Sequence, residues 1–206
     1  MAVNVYKESI RQVDQCLSRI ARNLPSANKM VFFDGQETRE IVELARGLGF
    51  EVCVGQNLGR NRTWHLWWLR MLRFFAQTSS AYALKLDPDT MVDRPPERMP
   101  DADYFGQIQH SFYGFPFIQG GVTGLSLHAV LSLVENRLLE RGEMANKVWF
   151  TVRLSPSAAF ADDQLLALAL NHVGIQPVQW DECVSQWKMP VLNDPITHSI
   201  VHPRYY

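Results

Sequence analysis

Residues 2–93 alternate short apolar runs with amphipathic segments, and this rhythm narrows the fold more than any other feature of the chain. The opening AVNVYK alternates apolar and polar residues and reads as a strand. A helix is expected over 9–23, with Ile10, Val13, Leu17 and Ile20 at helical spacing. KMVFFDG reads as a second strand, ending at Asp34 and Gly35. ETREIVELARGLG reads as a second helix, with Ile41, Leu44, Ala45 and Leu48 on one face and Gly49 as its stop. FEVCVG is a third strand, a third helix runs from about Thr63 to Gln77, and ALKL is a fourth strand. Strand and helix in this order imply an α/β fold: a mostly parallel sheet sandwiched by helices. Such a sheet binds ligands beyond the carboxyl ends of its strands.

The texture changes after Asp93. RPPERMPDADYFGQIQHSFYGFPF is rich in proline and aromatics and is expected to be an irregular, partly antiparallel insertion. IQGGVTGLS leads into the helix LHAVLSLVENRLLERG, with Ser126 as the expected N-cap. A last helix, ADDQLLALALNHVG, precedes a short strand and a C-terminal tail. The 206 residues suit a single domain, 1–206, with 1–93 and 94–206 as its two halves.

The formal net charge of −1 gives no bulk attraction to nucleic acid or to an anionic membrane. Cys16, Cys53 and Cys183 form no CxxC pair, so a zinc ribbon is not expected, and their small number suits a reducing compartment. Charges stand where a signal peptide needs its apolar stretch, and no apolar run approaches the ~20 residues of a spanning helix. The expectation is a cytoplasmic protein without a transmembrane segment.

The fourth strand ends in LKLDPDTMV. Asp87 and Asp89 are two residues apart, so strand geometry aims both carboxylates the same way. Two like charges need something to hold them together. A divalent cation does so, and paired carboxylates make a hard oxygen site suited to Mg²⁺ or Mn²⁺. Pro88 fixes φ between them and stiffens the turn. The plainer reading is a solvated Asp-Pro-Asp turn.

Four features in order give the chain a resemblance to metal-dependent, nucleotide-sugar glycosyltransferases of the A-type (GT-A, Rossmann-like) fold. These are the strand ending in DxD (LKLDPDTMV), an aromatic connector into FIQGGVTGLSLHAV, the acidic pair opening ADDQLLALALNHVGI, and the late histidine of IVHP. The resemblance spans nearly the whole chain. It implies a nucleotide-diphospho-sugar transferase architecture, with 1–93 as the nucleotide-binding half and 94–206 as the acceptor and catalytic half. It also implies a hexosyltransferase-like activity in glycan or polysaccharide synthesis, moving a sugar from a nucleotide diphosphate, a UDP-sugar by expectation, to an acceptor hydroxyl.

By the same resemblance Asp87, Asp89 and His202 hold Mn²⁺ or Mg²⁺, with His198 competing for the histidine's role. Asp163 is the general base if the reaction inverts configuration, and Asp162 holds the acceptor; helix capping is the plainer alternative for both. The first acid is Asp162, where the family has glutamate. Asp34 is expected to contact base or ribose, Arg60 and Arg62 the diphosphate, and Gly120 and Gly121, with Gly124, to let backbone approach the sugar. Trp64, Trp67, Trp68, Met71, Phe74 and Phe75 are expected to pack on the sheet. Phe112, Tyr113, Phe115 and Phe117 are divided between acceptor stacking and packing. A homodimer or other partner would complete the acceptor site of so short a chain.

Three alternatives stand beside this reading. A haloacid dehalogenase-like phosphatase also carries DxD after a strand, but its threonine stands two positions past the second aspartate, whereas Thr90 follows immediately. A nucleotidyltransferase needs a glycine-rich basic loop after its first strand, which VNVYKES lacks. A non-catalytic sugar-nucleotide-binding module shares the site without the chemistry.

Overall fold

The computed structural model describes residues 1–5, 8–35, 38–55, 64–111, 114–140, 162–185 and 200–202. The rhythm of the first half forms as expected: β1 (Ala2–Val5), α1 (Ile10–Asn23), β2 (Met30–Asp34), α2 (Arg39–Gly47), β3 (Glu51–Gly55), α3 (Trp64–Gln77) and β4 (Tyr82–Leu86). Ser9 opens α1 with a capping box, accepting from the Gln12 backbone while the Gln12 side chain reaches back. Its buried stripe is Val13, Cys16, Leu17 and Ile20. Ile10, expected on that stripe, is 44% exposed, because the first turn is covered less than the middle of the helix. Beyond α2, Gly49 takes the left-handed conformation that glycine adopts without strain.

The second half adds β5 (Met91–Val92), β6 (Tyr104–His110), β7 (Pro116–Ser126), α4 (Leu127–Glu135), α5 (Asp162–His172), β8 (Val178–Gln179), β9 (Cys183–Ser185) and β10 (Ile200–His202). Ser126 caps α4 as expected, accepting from the Ala129 backbone. The stretch expected to be irregular and partly antiparallel has no regular element over 93–103 and pairs antiparallel beyond, in β6 and β7. Gly120, Gly121 and Gly124 lie inside one eleven-residue strand, β7. An added Cβ at Gly124 would stand 2.1 Å from the Phe105 ring, so this glycine makes room for a core aromatic rather than for a sugar.

The described strands form a seven-stranded sheet in the order β3-β2-β1-β4-β7-β6-β8 and a three-stranded sheet in the order β5-β10-β9. In the large sheet β7 pairs antiparallel with β4 and β6, while β1–β2, β2–β3, β1–β4 and β6–β8 pair parallel. The chain is therefore α/β with a mixed, mostly parallel sheet. Helices α1 and α2 cover one face, over Val3, Val5, Val31, Phe33, Leu84, Leu86 and Val122. Helices α3, α4 and α5 cover the other, and Trp68, Met71, Phe74 and Phe75 pack there as anticipated. Trp64 and Trp67 have side chains outside the described set.

From β1 the chain steps outward through β2 and β3, then returns to place β4 on the other side of β1. The order of the strands thus reverses between β1 and β4. Beyond the carboxyl ends of two strands at such a reversal, neighbouring loops diverge and leave a crevice.

Candidate functional site at the carboxyl edge

The turn that ends β4 stands at this reversal. The Thr90 backbone N–H donates to the Asp87 carbonyl at 3.0 Å, closing a four-residue turn with Pro88 at the second position, where its fixed φ belongs. Pro88 and Thr90 are buried, while Asp87 and Asp89 are half-buried. The turn is tied on both sides. Gly121 O accepts from the Asp87 N–H and from the Thr90 hydroxyl, each at 3.0 Å. From below, the Cys16 thiol of α1 lies 3.7 Å from the Asp87 carbonyl. Burial raises the Cys16 thiol pKa, and the nearby Asp89 and Asp87 carboxylates raise it further. The turn backbone is thus tied to β7 and α1, while the Asp87 and Asp89 side chains stay partly exposed.

The segment that holds it is an irregular part of β7. Thr123 pairs with Gly106 and Ile118 with Ile108, so the stretch between them on β7 is longer than its counterpart on β6. Gln119, Gly120, Gly121 and Val122 fill that excess. Gly121 of this stretch is bonded to the Asp87 turn, and Gly120 precedes it in the chain. Past them, Pro116–Ile118 pairs with β6 alone and overhangs the carboxyl end of β4. Phe117 is buried in the core and Phe115 packs against it, so both serve packing; Phe112 and Tyr113 lie outside the described residues.

The chain leaves the turn directly into β5, which pairs antiparallel with β10 through Ile200–Val92 and Val201–Met91. The pairing ends at Val201–Met91, and His202 follows on the end of β10 nearer the turn. Its side chain is outside the described set, and His198 lies outside the described residues. The connection after the turn is pinned to α1 by Asn23, which donates to the Val92 carbonyl at 2.6 Å, and by the Arg19–Asp93 ion pair at 3.0 Å.

Asp163 reaches the same edge from another element. Strand β8 runs parallel to β6, and α5 descends into it through a short connection, so α5 begins at the carboxyl edge. Asp163 is 5% exposed, and Leu166, Ala167 and Leu170 continue its helical face into the core. The side chain is therefore buried rather than solvated. Its charge reaches the buried Tyr104, whose hydroxyl accepts from the Ile118 N–H at 2.9 Å. Burial raises the Tyr104 pKa, that hydrogen bond opposes the rise, and Asp163 adds to it. Asp162 lies in the first turn of α5 with its side chain outside the described set.

One partner went unnoticed in the sequence. Lys85, 3% exposed within β4, forms an ion pair with Asp87. The two are separated by one residue and so lie on the same side of the chain where β4 runs into the turn. Part of the repulsion between the aspartates is thus relieved by a lysine of their own strand. The signal was present in LKLDPD: a charge inside an otherwise apolar strand. Register sets Lys85 between Ala2 and Thr123, and carries Asn4 level with Asp87. Among the described residues the buried side-chain oxygens of Asn4 and Thr123 and the amide nitrogen of Gln119 have no hydrogen-bond partner. A polar floor thus underlies the aspartates on the α3–α5 face.

Of the nucleotide-side expectations, Asp34 ends β2 at the carboxyl edge, opposite Gly55, with its side chain outside the described set. Arg60 and Arg62 lie outside the described residues. Arg70 of α3, not anticipated, reaches the end of β3: a Cβ at Gly55 would fall 1.4 Å from its guanidinium, which fills the space that this glycine leaves.

Among the described residues no group of three or more His, Cys, Asp or Glu side chains stands ready to hold a metal ion. The donors present nevertheless suit a Mg²⁺-like cation. Such ions are held by one or two carboxylates and complete their shell with water and substrate phosphates. Asp89, half-buried on a fixed turn, and Asp87, shared with Lys85, meet that requirement.

Fold and site together define an α/β protein with a mixed, mostly parallel sheet and an acidic turn at its strand-order reversal. The chain matches no protein-family model and no curated protein sequence significantly. No helix among the described residues is long and apolar enough to cross a membrane.

Proposed function

We propose that the protein is a divalent-cation-dependent glycosyltransferase of the GT-A type, moving a sugar from a nucleotide diphosphate, a UDP-sugar by preference, to an acceptor hydroxyl. One observation carries this reading. Asp87 and Asp89, the Gly120–Gly121 segment, the strand bearing His202 and the buried Asp163 come from four separate parts of the chain and all lie towards the carboxyl ends of β4 and its neighbours, which supports the reading. Solvated turns and helix caps give no reason for that shared placement.

Asp89 holds the cation, with Asp87 directly or through water, and His202 is the third donor. The cation, Mn²⁺ or Mg²⁺, supplies positive charge against the departing diphosphate. Asp163 accepts the proton of the acceptor hydroxyl, and its burial at the start of α5 keeps the carboxylate out of bulk water. The Gly120–Gly121 backbone lies against the sugar.

The test is calorimetric titration of UDP with and without Mn²⁺, followed by donor hydrolysis and transfer assays. Mn²⁺-dependent UDP binding that disappears in Asp89→Asn, and turnover that disappears in Asp163→Asn while binding persists, are the expected results. UDP binding indifferent to Mn²⁺ and to Asp89 would overturn the assignment. Release of phosphate from phosphomonoesters in its place would favour the phosphatase alternative.

A further inference from the structure

We infer that Lys85 couples cation binding to diphosphate binding: it occupies Asp87 while the diphosphate is absent, so the turn takes a cation–diphosphate complex readily and a free cation poorly. The inference rests on the cation and diphosphate reading above.

Burying an ammonium is expensive unless a charge compensates it. An apolar side chain of similar length at position 85 would fit an otherwise apolar strand, in which Ala83, Leu84 and Leu86 are all buried. Its neighbours in register, Ala2 and Thr123, carry no charge, and Asp87 supplies the compensation. Thus a positive charge is built into the floor beneath the acidic turn. It changes what the turn presents to a ligand. Two carboxylates alone offer a free dication two negative charges; with Lys85 the turn presents a net charge of −1. A free cation must displace or tolerate the ammonium. A cation that arrives with a diphosphate brings oxygens that can take over the lysine's hydrogen bonds, and the opposition becomes attraction. Lys85 is accordingly a positioning residue that acts through Asp87.

The experiment measures Mn²⁺ affinity by the electron paramagnetic resonance of free Mn²⁺, without nucleotide and then with saturating UDP. In the wild-type protein UDP should tighten Mn²⁺ binding, and by linkage Mn²⁺ should tighten UDP binding by the same factor. In Lys85→Met, free Mn²⁺ should bind at least ~10-fold tighter, because a unit charge a few ångströms from a dication is gone. The UDP-dependent gain should shrink to match, and Lys85→Arg should restore it. A lysine that only packs would shift the melting temperature and leave free Mn²⁺ affinity unchanged or weaker, which would overturn the inference. Should Lys85→Met fail to fold, the wild-type protein decides alone: equal Mn²⁺ affinity with and without UDP also overturns it. Mn²⁺ binding absent in both conditions removes the cation reading itself, and this inference with it.

Discussion

The two faces of the large sheet, built from the same strands, are not alike. Towards α1 and α2, strands β1, β4 and β7 present Val3, Val5, Leu84, Leu86 and Val122, an apolar face up to the carboxyl edge. Towards α3–α5 the same strands begin with Ala83 and Leu125. They pass to the row Ala2–Lys85–Thr123 and end level with Asn4, Asp87 and Gly121. Strands buried on both faces can be apolar throughout, and the first face shows that this chain builds such a surface when burial is the only requirement. Polarity rising towards one edge of one face is therefore placed there at a cost to stability. Sequence rules broken in this local way mark the working part of a molecule.

Adjacent substitutions on opposite faces give the sharpest test of that contrast. Leu86→Ala, in the fully buried face, should cost ~2–5 kcal/mol in urea unfolding, as large-to-small core changes do. Lys85→Met should cost less: losing one partner of a fully buried pair costs ~3–5 kcal/mol, but this change also removes a buried charge. The Asp87 left behind is partly exposed, with 26% of its side chain accessible, so its loss of a partner is softened by water. Equal destabilisation by the two substitutions would mean that the lysine serves the core, and the contrast would fail.

The next largest effect is functional. Asp89→Asn should weaken Mn²⁺-dependent UDP binding by more than the ~10–100-fold typical of an outer-shell partner, without changing the unfolding midpoint. A smaller loss than that of Asp87→Asn would reverse the order of the two carboxylates.

Thiol labelling separates the faces in another way. Cys16 and Cys183 are buried, and burial pushes the Cys183 thiol up to about 12, against a hydrogen bond involving Gln107. Both should stay unreactive to a disulfide reagent at pH 8 in the folded protein, while the half-buried Cys53 reacts. Labelling of Cys16 as fast as Cys53 would show that the Asp87 turn opens.

How far this was legible depended on whether the signal was local. Period 2 and period 3.6 runs gave the strands and helices of the first half, and Ser126 and Gly49 marked their ends, because each is decided within a few residues. DxD at a strand end placed the acidic turn. The rest depended on distant partners. Three glycines in QGGVTGLS concealed β7, whose course is set by the Phe105 ring and by the aspartate turn. The approach of β10 to β5 is a pairing of short strands across half the chain, and nothing near His202 announces it. Lys85 was visible as a residue, but its burial became apparent only with β1 and β7 on either side.

The opposite end of the sheet offers the smallest effect and a control. Asp103 there also gathers polar partners: the Ser126 hydroxyl, and His128 Nδ1 at 3.0 Å. Burial raises its pKa, but these hydrogen bonds and the His128 charge outweigh burial and hold the carboxyl below its usual value. A depressed folded-state pKa contributes stability that is present above the unfolded value of ~3.9 and is lost as pH falls through the folded value. Asp103→Asn should therefore flatten the acid limb by lowering stability slightly at neutral pH, the effect being small because the site is largely exposed, and leave stability well below about pH 4 almost unchanged. Ser126→Ala should remove the α4 cap as well, costing ~1 kcal/mol at neutral pH. Neither substitution should alter Mn²⁺ or UDP binding. Here every neighbour of the carboxylate is accounted for by a helix start, whereas at Asp87 the neighbour is a buried lysine that no element of secondary structure requires. An effect of Asp103→Asn on UDP binding would erase that distinction between an acid that caps and the acids proposed to hold a cation.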